Sequence, residues 1–153
     1  MKNVQVQTLL LIIKNGKILL GMKKRGFGVG RYNGFGGKLD PGEAPLQAAR
    51  REMKEETGVD VGNITKCGVI KFFSGIRETI EMHVYRTDMY EGEFQESEEM
   101  RPKWFRFNKI PYSRMWPDDQ HWLPQVLKGK RVRARFWFDA EDIIVKKDVR
   151  LVL

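Results

Sequence analysis

Glu52, Glu55 and Glu56 are spaced i, i+3 and i+4, so on an α-helix their carboxylates fall within about 100° of one another on one face. Three anions so crowded repel unless a cation neutralises them. Oxygen-only ligation suits Mg²⁺ or Mn²⁺. Such ions bridge phosphate oxygens, polarise phosphorus and lower the pKa of an attacking water, so the chemistry on offer is hydrolysis within a polyphosphate chain. The competing reading is a solvated acidic helix face, since glutamate is a good helix former. The surrounding residues decide between the two. Residues 37–59, GKLDPGEAPLQAARREMKEETGV, fit G-x5-E-x7-R-E-U-x-E-E-x-G-U (U aliphatic) at Gly37, Glu43, Arg51, Glu52, Met53, Glu55, Glu56, Gly58 and Val59. At ordinary residue frequencies such a match arises by chance on the order of 10⁻⁹ to 10⁻¹⁰ per start position. Gly37 and Gly42 bend a loop that brings backbone close to metal and phosphate, and Arg51 orients a neighbouring acid by a forked hydrogen bond.

The elements that must hold these residues follow from local pattern. Residues 4–14 are rich in β-branched and aliphatic side chains. Asn15-Gly16 and residues 17–22 come next, which predicts strand, type I′ turn, strand. Residues 26–37 hold six glycines in twelve, a loop region with tight backbone demands. Over residues 44–57, Leu46, Ala49 and Met53 recur at helical spacing, and Gly58 sits where a C-cap glycine would. Strands are expected near residues 64–73, 78–88 and 104–107. An acidic stretch carrying Glu91, Glu93, Glu96, Glu98 and Glu99 lies between the last two. Pro117 with Asp118 and Asp119 reads as a helix start. The tail alternates Arg131, Arg133 and Arg135 with Val132, Ala134 and Phe136. A last strand over residues 142–153 is expected to pair with it across Asp139-Ala140-Glu141. The class is mixed α and β.

Length and composition set the outer bounds. A chain of 153 residues, 41% apolar and 31% charged, is expected to form one domain over residues 1–153. The single cysteine, Cys67, excludes an internal disulfide and reads as inert. The longest apolar run, residues 9–13, is too short to span a bilayer, and Asn3, Gln5 and Gln7 interrupt any secretory signal. A reduced, cytoplasmic setting is expected, with nucleus or organelle left open. The net charge of +8 is skewed. Residues 1–102 carry 16 basic and 14 acidic side chains, and residues 103–153 carry 12 and 6. The skew favours anionic partners or is a solubilising surface. His83, Trp104 and Trp122 read as structural, and His121 as surface or packing.

The nine-position match resembles the Nudix box. GMKKRGFGVGRYNGFGGK (residues 21–38), EEMRPKWF (98–105) and MWPDD (115–119) are similar to the MutT-homologue branch of the Nudix hydrolases, with correspondence over nearly the whole chain. The resemblance implies an α+β fold, an α/β/α sandwich with a mixed central sheet flanked by helices. It implies Mg²⁺-dependent (or Mn²⁺-dependent) cleavage of 8-oxo-dGTP and 2-oxo-dATP to monophosphate and pyrophosphate, which keeps damaged bases out of DNA. Carried over by position, the metal site is the carbonyl of Gly36 with Glu52, Glu55, Glu56 and Glu99, and the catalytic set is Arg51, Glu52, Glu55 and Glu56. Purine recognition falls to Asn33, Asp118 and Asp119. Trp116, Phe27 and Phe72 pack on or beside the base. Thr8, Lys23, Phe35, Gly36, Gly37, Lys38 and Pro117 complete the substrate contacts. By residue type alone, Phe27 and Phe72 read equally as core aromatics.

Two adjacent acids in a poorly solvated pocket do not both ionise cheaply, so one keeps a proton and donates. Moving that proton between Asp118 and Asp119 changes which purine edge the pocket matches. This is a hypothesis for dual base specificity, motivated by the Asp-Asp pair beside an aromatic and a proline. The chain departs from the branch at Phe73-Ser74-Gly75, where relatives place a second pocket aromatic two residues after the first, and its loop to Glu81 is one residue shorter. Ser74 leaves that wall open, or Phe73 swings in. The expected partner is a small-molecule nucleotide, the chain acts as a monomer, and no membrane is involved. The alternatives are a Nudix hydrolase of capped RNA or dinucleoside polyphosphate using the basic C-terminal hairpin, and a non-catalytic module binding nucleotide or nucleic acid.

Overall fold

The structure, a computed structural model, describes residues 3–152. Strands β1 (Val4–Lys14) and β2 (Lys17–Lys23) form the expected hairpin, with Asn15 (φ 54°) and Gly16 (φ 74°) in the left-handed pair that a type I′ turn requires. Side chains on β1 alternate between two cores. Leu9, Leu11 and Ile13 enter one and Leu10 and Ile12 the other, and all five are buried. An unbroken apolar run is therefore the signature of a central strand covered on both faces.

The remaining strands are β3 (Tyr32–Asn33), β4 (Asp60–Val61), β5 (Thr65–Ser74), β6 (Thr79–Thr87), β7 (Tyr90–Glu91), β8 (Met100–Arg106), β9 (Arg131–Phe138) and β10 (Ile144–Val152). Among the described residues eight strands form one sheet in the order β10-β9-β5-β6-β1-β2-β3, with β8 also paired to β2, while β4 and β7 pair separately. The β1–β6 and β5–β9 pairs are parallel and the others antiparallel, so the sheet is mixed. Helix α1 (Pro45–Thr57) lays Ala49 and Met53 against Leu10, Ile12 and Phe35. Helix α2 (Asp119–Leu127) lays Trp122, Leu123 and Val126 against Leu9, Val84 and Phe136 on the opposite face. The sandwich expected from the resemblance is present.

Differences from the sequence expectation are local. The strand near residues 104–107 begins at Met100, because its pairing runs the full length of β2 from Lys17↔Arg106 to Lys23↔Met100. Pro102 is tolerated within it at the Gly21 position. The β9–β10 turn extends to Ile143, where the Asp139 Oδ1 accepts the N–H groups of Glu141 and Ile143 and Asp142 adopts φ 60°. The short strands β3, β4 and β7 carry no periodicity to find. Among the described residues no helix is long and apolar enough to cross a membrane.

Candidate active site

Helix α1 presents its acids because its other face is anchored. Pro45 opens it, the Ala44 N–H donates to the Gln47 side chain (2.9 Å), and Gly58 closes it at φ 78° with its N–H on the Lys54 carbonyl (2.9 Å). Opposite the buried Ala48, Ala49 and Met53 runs a loop strapped to β1. Thr8 N–H donates to the Gly37 carbonyl (2.9 Å), and Leu10 and Phe35 exchange both backbone hydrogen bonds (2.6 and 3.0 Å). Space excludes a side chain at Gly36, and at Gly37 one would displace the Glu52 carboxylate. A Cβ on Gly36 would collide with the Thr8 carbonyl, and one on Gly37 would lie 2.8 Å from the Glu52 Oε1.

The carboxylates divide into two groups. Glu52 and Glu56 are half-buried and joined by a side-chain hydrogen bond, and Glu56 also accepts the Gly36 N–H (3.3 Å). Burial, then the adjacent Glu52 charge, pushes Glu56 up to about 9; the nearby Lys23 pulls the other way. Glu56 therefore keeps its proton near neutrality. Glu55 is exposed and meets Arg51 (3.2 Å). Arg51 is a hub. It forks onto Glu43 through Nε and Nη2 (both 2.9 Å), reaches Glu52 (3.0 Å) through Nη1, and donates to the Lys38 carbonyl (3.1 Å). The fork holds Arg51 charged and draws Glu43 below the usual carboxylate range.

Glu99, expected as a fifth ligand, stands apart from the other carboxylates, paired with Arg25. It lies on the exposed approach to β8, where its carboxylate pairs with Arg25 (3.1 Å) and its carbonyl accepts the Lys24 N–H (2.9 Å). Among the described residues no three His, Cys, Asp or Glu side chains are gathered for a metal, because Arg51 and Arg25 draw off the outer carboxylates. The donors at hand nevertheless fit a hard divalent cation. They are all oxygen, and Glu56 keeps beside the Glu52 charge a proton that such an ion would displace.

On the α2 side, Asp118 and Asp119 are each 3% exposed. They stand at the helix start and out of solvent, as the pocket reading expects, and neither side chain caps the helix. The Asp118 Oδ2 accepts the Trp122 indole N–H (2.8 Å), and the two carboxyls are hydrogen-bonded to each other. Burial raises both, and the neighbouring Asp118 charge raises Asp119 further, so the pair retains a proton. One oxygen, Asp119 Oδ2, is buried without a hydrogen-bond partner. Around the pair, Trp116 stacks on Phe27 (5.2 Å, 28°) with the Arg31 guanidinium 4.2 Å from its ring, while Phe72 packs on Phe136 and Phe138 (6.1 and 6.0 Å). Asn33 spends its Oδ1 on the Gly34 N–H (2.9 Å), which leaves its NH₂ as the group to offer a base. Pro117 is half-buried beside them, its carbonyl accepting from Gln120 (3.3 Å).

Phe35 has its ring fully buried in the α1-side core and both its backbone groups taken by Leu10, so it supports the loop from beneath. Thr8 shares the parity of Leu10, which puts it on the α1 side of β1, buried with its Oγ1 unpartnered. Phe73 does not swing in to replace the missing aromatic. It alternates with Phe72, stacks on Trp137 (5.1 Å, 18°) and faces the other side of the sheet. The Ser74 hydroxyl accepts the Ile76 N–H (3.3 Å). Sequence reasoning missed Arg31, whose Nη1 donates to the Met115 carbonyl (3.0 Å). It also missed Arg77, which covers Phe27 (5.2 Å) while gripping Asp142 with both nitrogens (2.6 and 3.1 Å). Arg31 lies in a glycine-rich stretch without periodicity, and Arg77 and Asp142 meet across 65 positions, so neither left a local signal. Cys67 is buried, its thiol pushed up to about 12.

Comparison with known proteins agrees with this geometry. The chain is 53% identical over 140 residues to an oxidized purine nucleoside triphosphate hydrolase of Danio rerio, covering 91% of this chain and 90% of that protein. It is 43% identical over 153 residues to the Mus musculus protein of the same name, covering 99% and 98%. A crystal structure of a MutT protein from Bacillus halodurans superposes with a TM-score of 0.83 at 23% identity, over 95% of this chain and 97% of that one, which shows the fold. A MutT NUDIX hydrolase from Burkholderia pseudomallei gives 0.67 at 27% identity, over 72% and 88%. The NUDIX domain profile matches residues 3–126, a span that takes in the strapped loop, the acidic helix and the buried aspartates, and the chain belongs to the NUDIX family of hydrolases.

Proposed function

We propose that this chain hydrolyses oxidised purine nucleoside triphosphates to the nucleoside monophosphate and pyrophosphate, with Mg²⁺ or Mn²⁺ as cofactor. The observation that carries the reading is the buried Asp118–Asp119 pair, with one oxygen left unpartnered beside an aromatic cluster. An oxidised purine differs from the ordinary base in its pattern of N–H and carbonyl groups. A carboxylate next to a carboxylic acid offers it one acceptor and one donor, and exchanging the proton serves a second pattern. Relatives 53% and 43% identical carry the corresponding substrate class in their names.

At the other end of the substrate, Glu52, Glu55 and Glu56 with the Gly36 carbonyl would hold the cation, which supplies Lewis acidity toward phosphate oxygens and a more acidic water. Arg51, fixed by the Glu43 fork, sets the Glu52 rotamer, and Lys23 beside Glu56 meets phosphate charge. Glu56, held by the Gly36 N–H, would take the proton of the attacking water once the one it keeps beside Glu52 had been displaced on cation binding, with Glu55 as the alternative base. The water oxygen bonds to phosphorus as the bridging P–O bond breaks, and attack at either end of the α–β bridge yields the same two products.

The test is pyrophosphate release from 8-oxo-dGTP, 2-oxo-dATP, dGTP and a cap analogue, with chelator and with Mg²⁺ added back. The oxidised purines are expected to turn over fastest, with loss on chelation and recovery with Mg²⁺. Preference for the cap analogue, or turnover indifferent to chelator, would sink the proposal.

A further inference from the structure

The strand face that α1 leaves uncovered, on β5, β6, β9 and β10, carries a groove of about 480 Å³ that contains none of the candidate active-site residues. Register fixes which side chains share that face. Val132, Ala134 and Phe136 of β9 enter the α2-side core, so the alternate residues point the other way. Arg131, Arg133 and Arg135 on β9 therefore stand beside Lys71 of β5 and Lys146 and Arg150 of β10, through the pairs Lys71↔Arg135, Arg135↔Asp148, Arg133↔Arg150 and Trp137↔Lys146. Only two acids oppose these six cations on the same strands. Glu81 is shared between His83 and Lys71 (3.0 and 3.8 Å), and Asp148 between Arg135 and Arg150 (2.6 and 3.1 Å). Among the described residues Arg131 and Arg133 have no acidic partner, and both are exposed. Half of the chain's net charge of +8 thus lies on one sheet face.

Two further features say what kind of anion fits. Side chains two apart on a strand stand about 7 Å apart, so Arg131, Arg133 and Arg135 form a straight row whose repeat is of the order of the phosphate spacing in an extended single strand. At the end of that row Phe73 and Trp137 lie stacked and half-exposed, with Arg135 and Lys146 packed at the Trp137 ring (5.3 and 4.9 Å). A basic track ending in an aromatic and guanidinium platform serves unpaired bases, whose faces a duplex hides. The geometry points to a second ligand site on this face, separate from the nucleotide site, that takes single-stranded nucleic acid: phosphates along the β9 arginines and a base against Trp137 and Phe73.

The test is fluorescence anisotropy with labelled oligothymidylate and oligouridylate over a salt series, with a matched duplex, inorganic polyphosphate and phosphatidylserine vesicles as comparators. Single strands are expected to bind more tightly than the other three. R131E/R133E is expected to raise Kd at least about tenfold and reduce the magnitude of the salt slope by about 2. W137L is expected to weaken binding about five- to tenfold with the salt slope unchanged. Each variant should keep wild-type hydrolysis of the nucleotide panel and wild-type thermal melting, which separates loss of the face from loss of fold. Tighter binding of oligouridylate assigns the face to RNA and of oligothymidylate to DNA. Failure of both oligonucleotides to bind at low salt, wild-type affinity in R131E/R133E, or equal binding of duplex, polyphosphate or vesicles with no effect of W137L overturns the proposal.

Discussion

Asp118 and Asp119 are neighbours in the chain but answer to different partners: the indole N–H of Trp122 holds one, and the other keeps a buried oxygen with nothing to accept from. Removing the charge on either one therefore has a distinct consequence. Asp118→Asn preserves an acceptor for Trp122 but ends the repulsion on Asp119. Asp119→Asn fixes a permanent donor where the proton had been mobile. The ratio of kcat/KM for 8-oxo-dGTP over 2-oxo-dATP is expected to move in opposite directions in the two variants, by about 10- to 100-fold, since each buried hydrogen bond lost or mispaired costs about 1–3 kcal/mol. Steady-state kinetics on both substrates checks this, and unchanged ratios in both variants rule out proton exchange as the source of dual specificity. Glu56→Gln is the matching test at the phosphate end. The amide oxygen still accepts the Gly36 N–H, so the fold persists, while kcat is expected to fall about 10²- to 10⁴-fold.

At the scale of elements, the loop over residues 34–39 owes its course to β1 more than to its own sequence. Gly36→Ala forces a Cβ into the Thr8 carbonyl, so the strap must lift from β1. Pyrophosphate release is expected to drop at least about tenfold and stability by about 1–3 kcal/mol, read by urea titration. A second device spans four loops, in which Asp142 holds Arg77, Arg77 covers Phe27, and Phe27 lies on Trp116. Arg77→Ala frees the Phe27 loop without touching the acids, and KM is expected to rise about two- to fivefold with kcat little changed. These two cases mark how far sequence reading reaches. The β1–β2 hairpin, α1 and its C-cap were legible because turn chemistry and 3.6-residue spacing are local, and the acidic constellation was legible because a helix dictates i, i+3, i+4 geometry. The inward turn of Phe35 was not legible, because a glycine-rich loop has no alternation to say which aromatic turns inward. The burial of Asp118 and Asp119 was legible only through the resemblance, because Pro-Asp-Asp by itself reads as a helix start and the hold of Trp122 on Asp118 depends on the sheet that α2 covers.

For the whole molecule, the buried acids set how stability depends on pH. Asp118, Asp119 and Glu56 all have their pKa raised on folding, chiefly by burial. In the range above an unfolded carboxyl's pKa the native chain therefore binds more protons than the unfolded one, and stability falls as pH rises. Asp118 alone, pushed up to about 6 from 3.8, withdraws stability on the order of 3 kcal/mol between about pH 4 and pH 6, and Asp119 extends the loss to higher pH. Opposing contributions are weaker. Glu43 is lowered by a part-buried ion pair and Glu96 and Asp148 by more exposed ones, and all three lose stability only below the ordinary carboxyl range. His121, lowered by partial burial and Lys147, gains stability as it deprotonates. The net charge of +8 grows on acidification and also acts the other way, but through surface charges that salt screens. Urea unfolding in roughly twice physiological salt is therefore expected to show a midpoint that falls from about pH 4.5 to about pH 7.5. The Asp118→Asn/Asp119→Asn variant is expected to flatten most of that slope and to exceed the wild type at the upper end. A wild-type midpoint that rises over the interval would show that the two aspartates ionise freely in the folded chain, and the donor–acceptor pair proposed for the base would go with it.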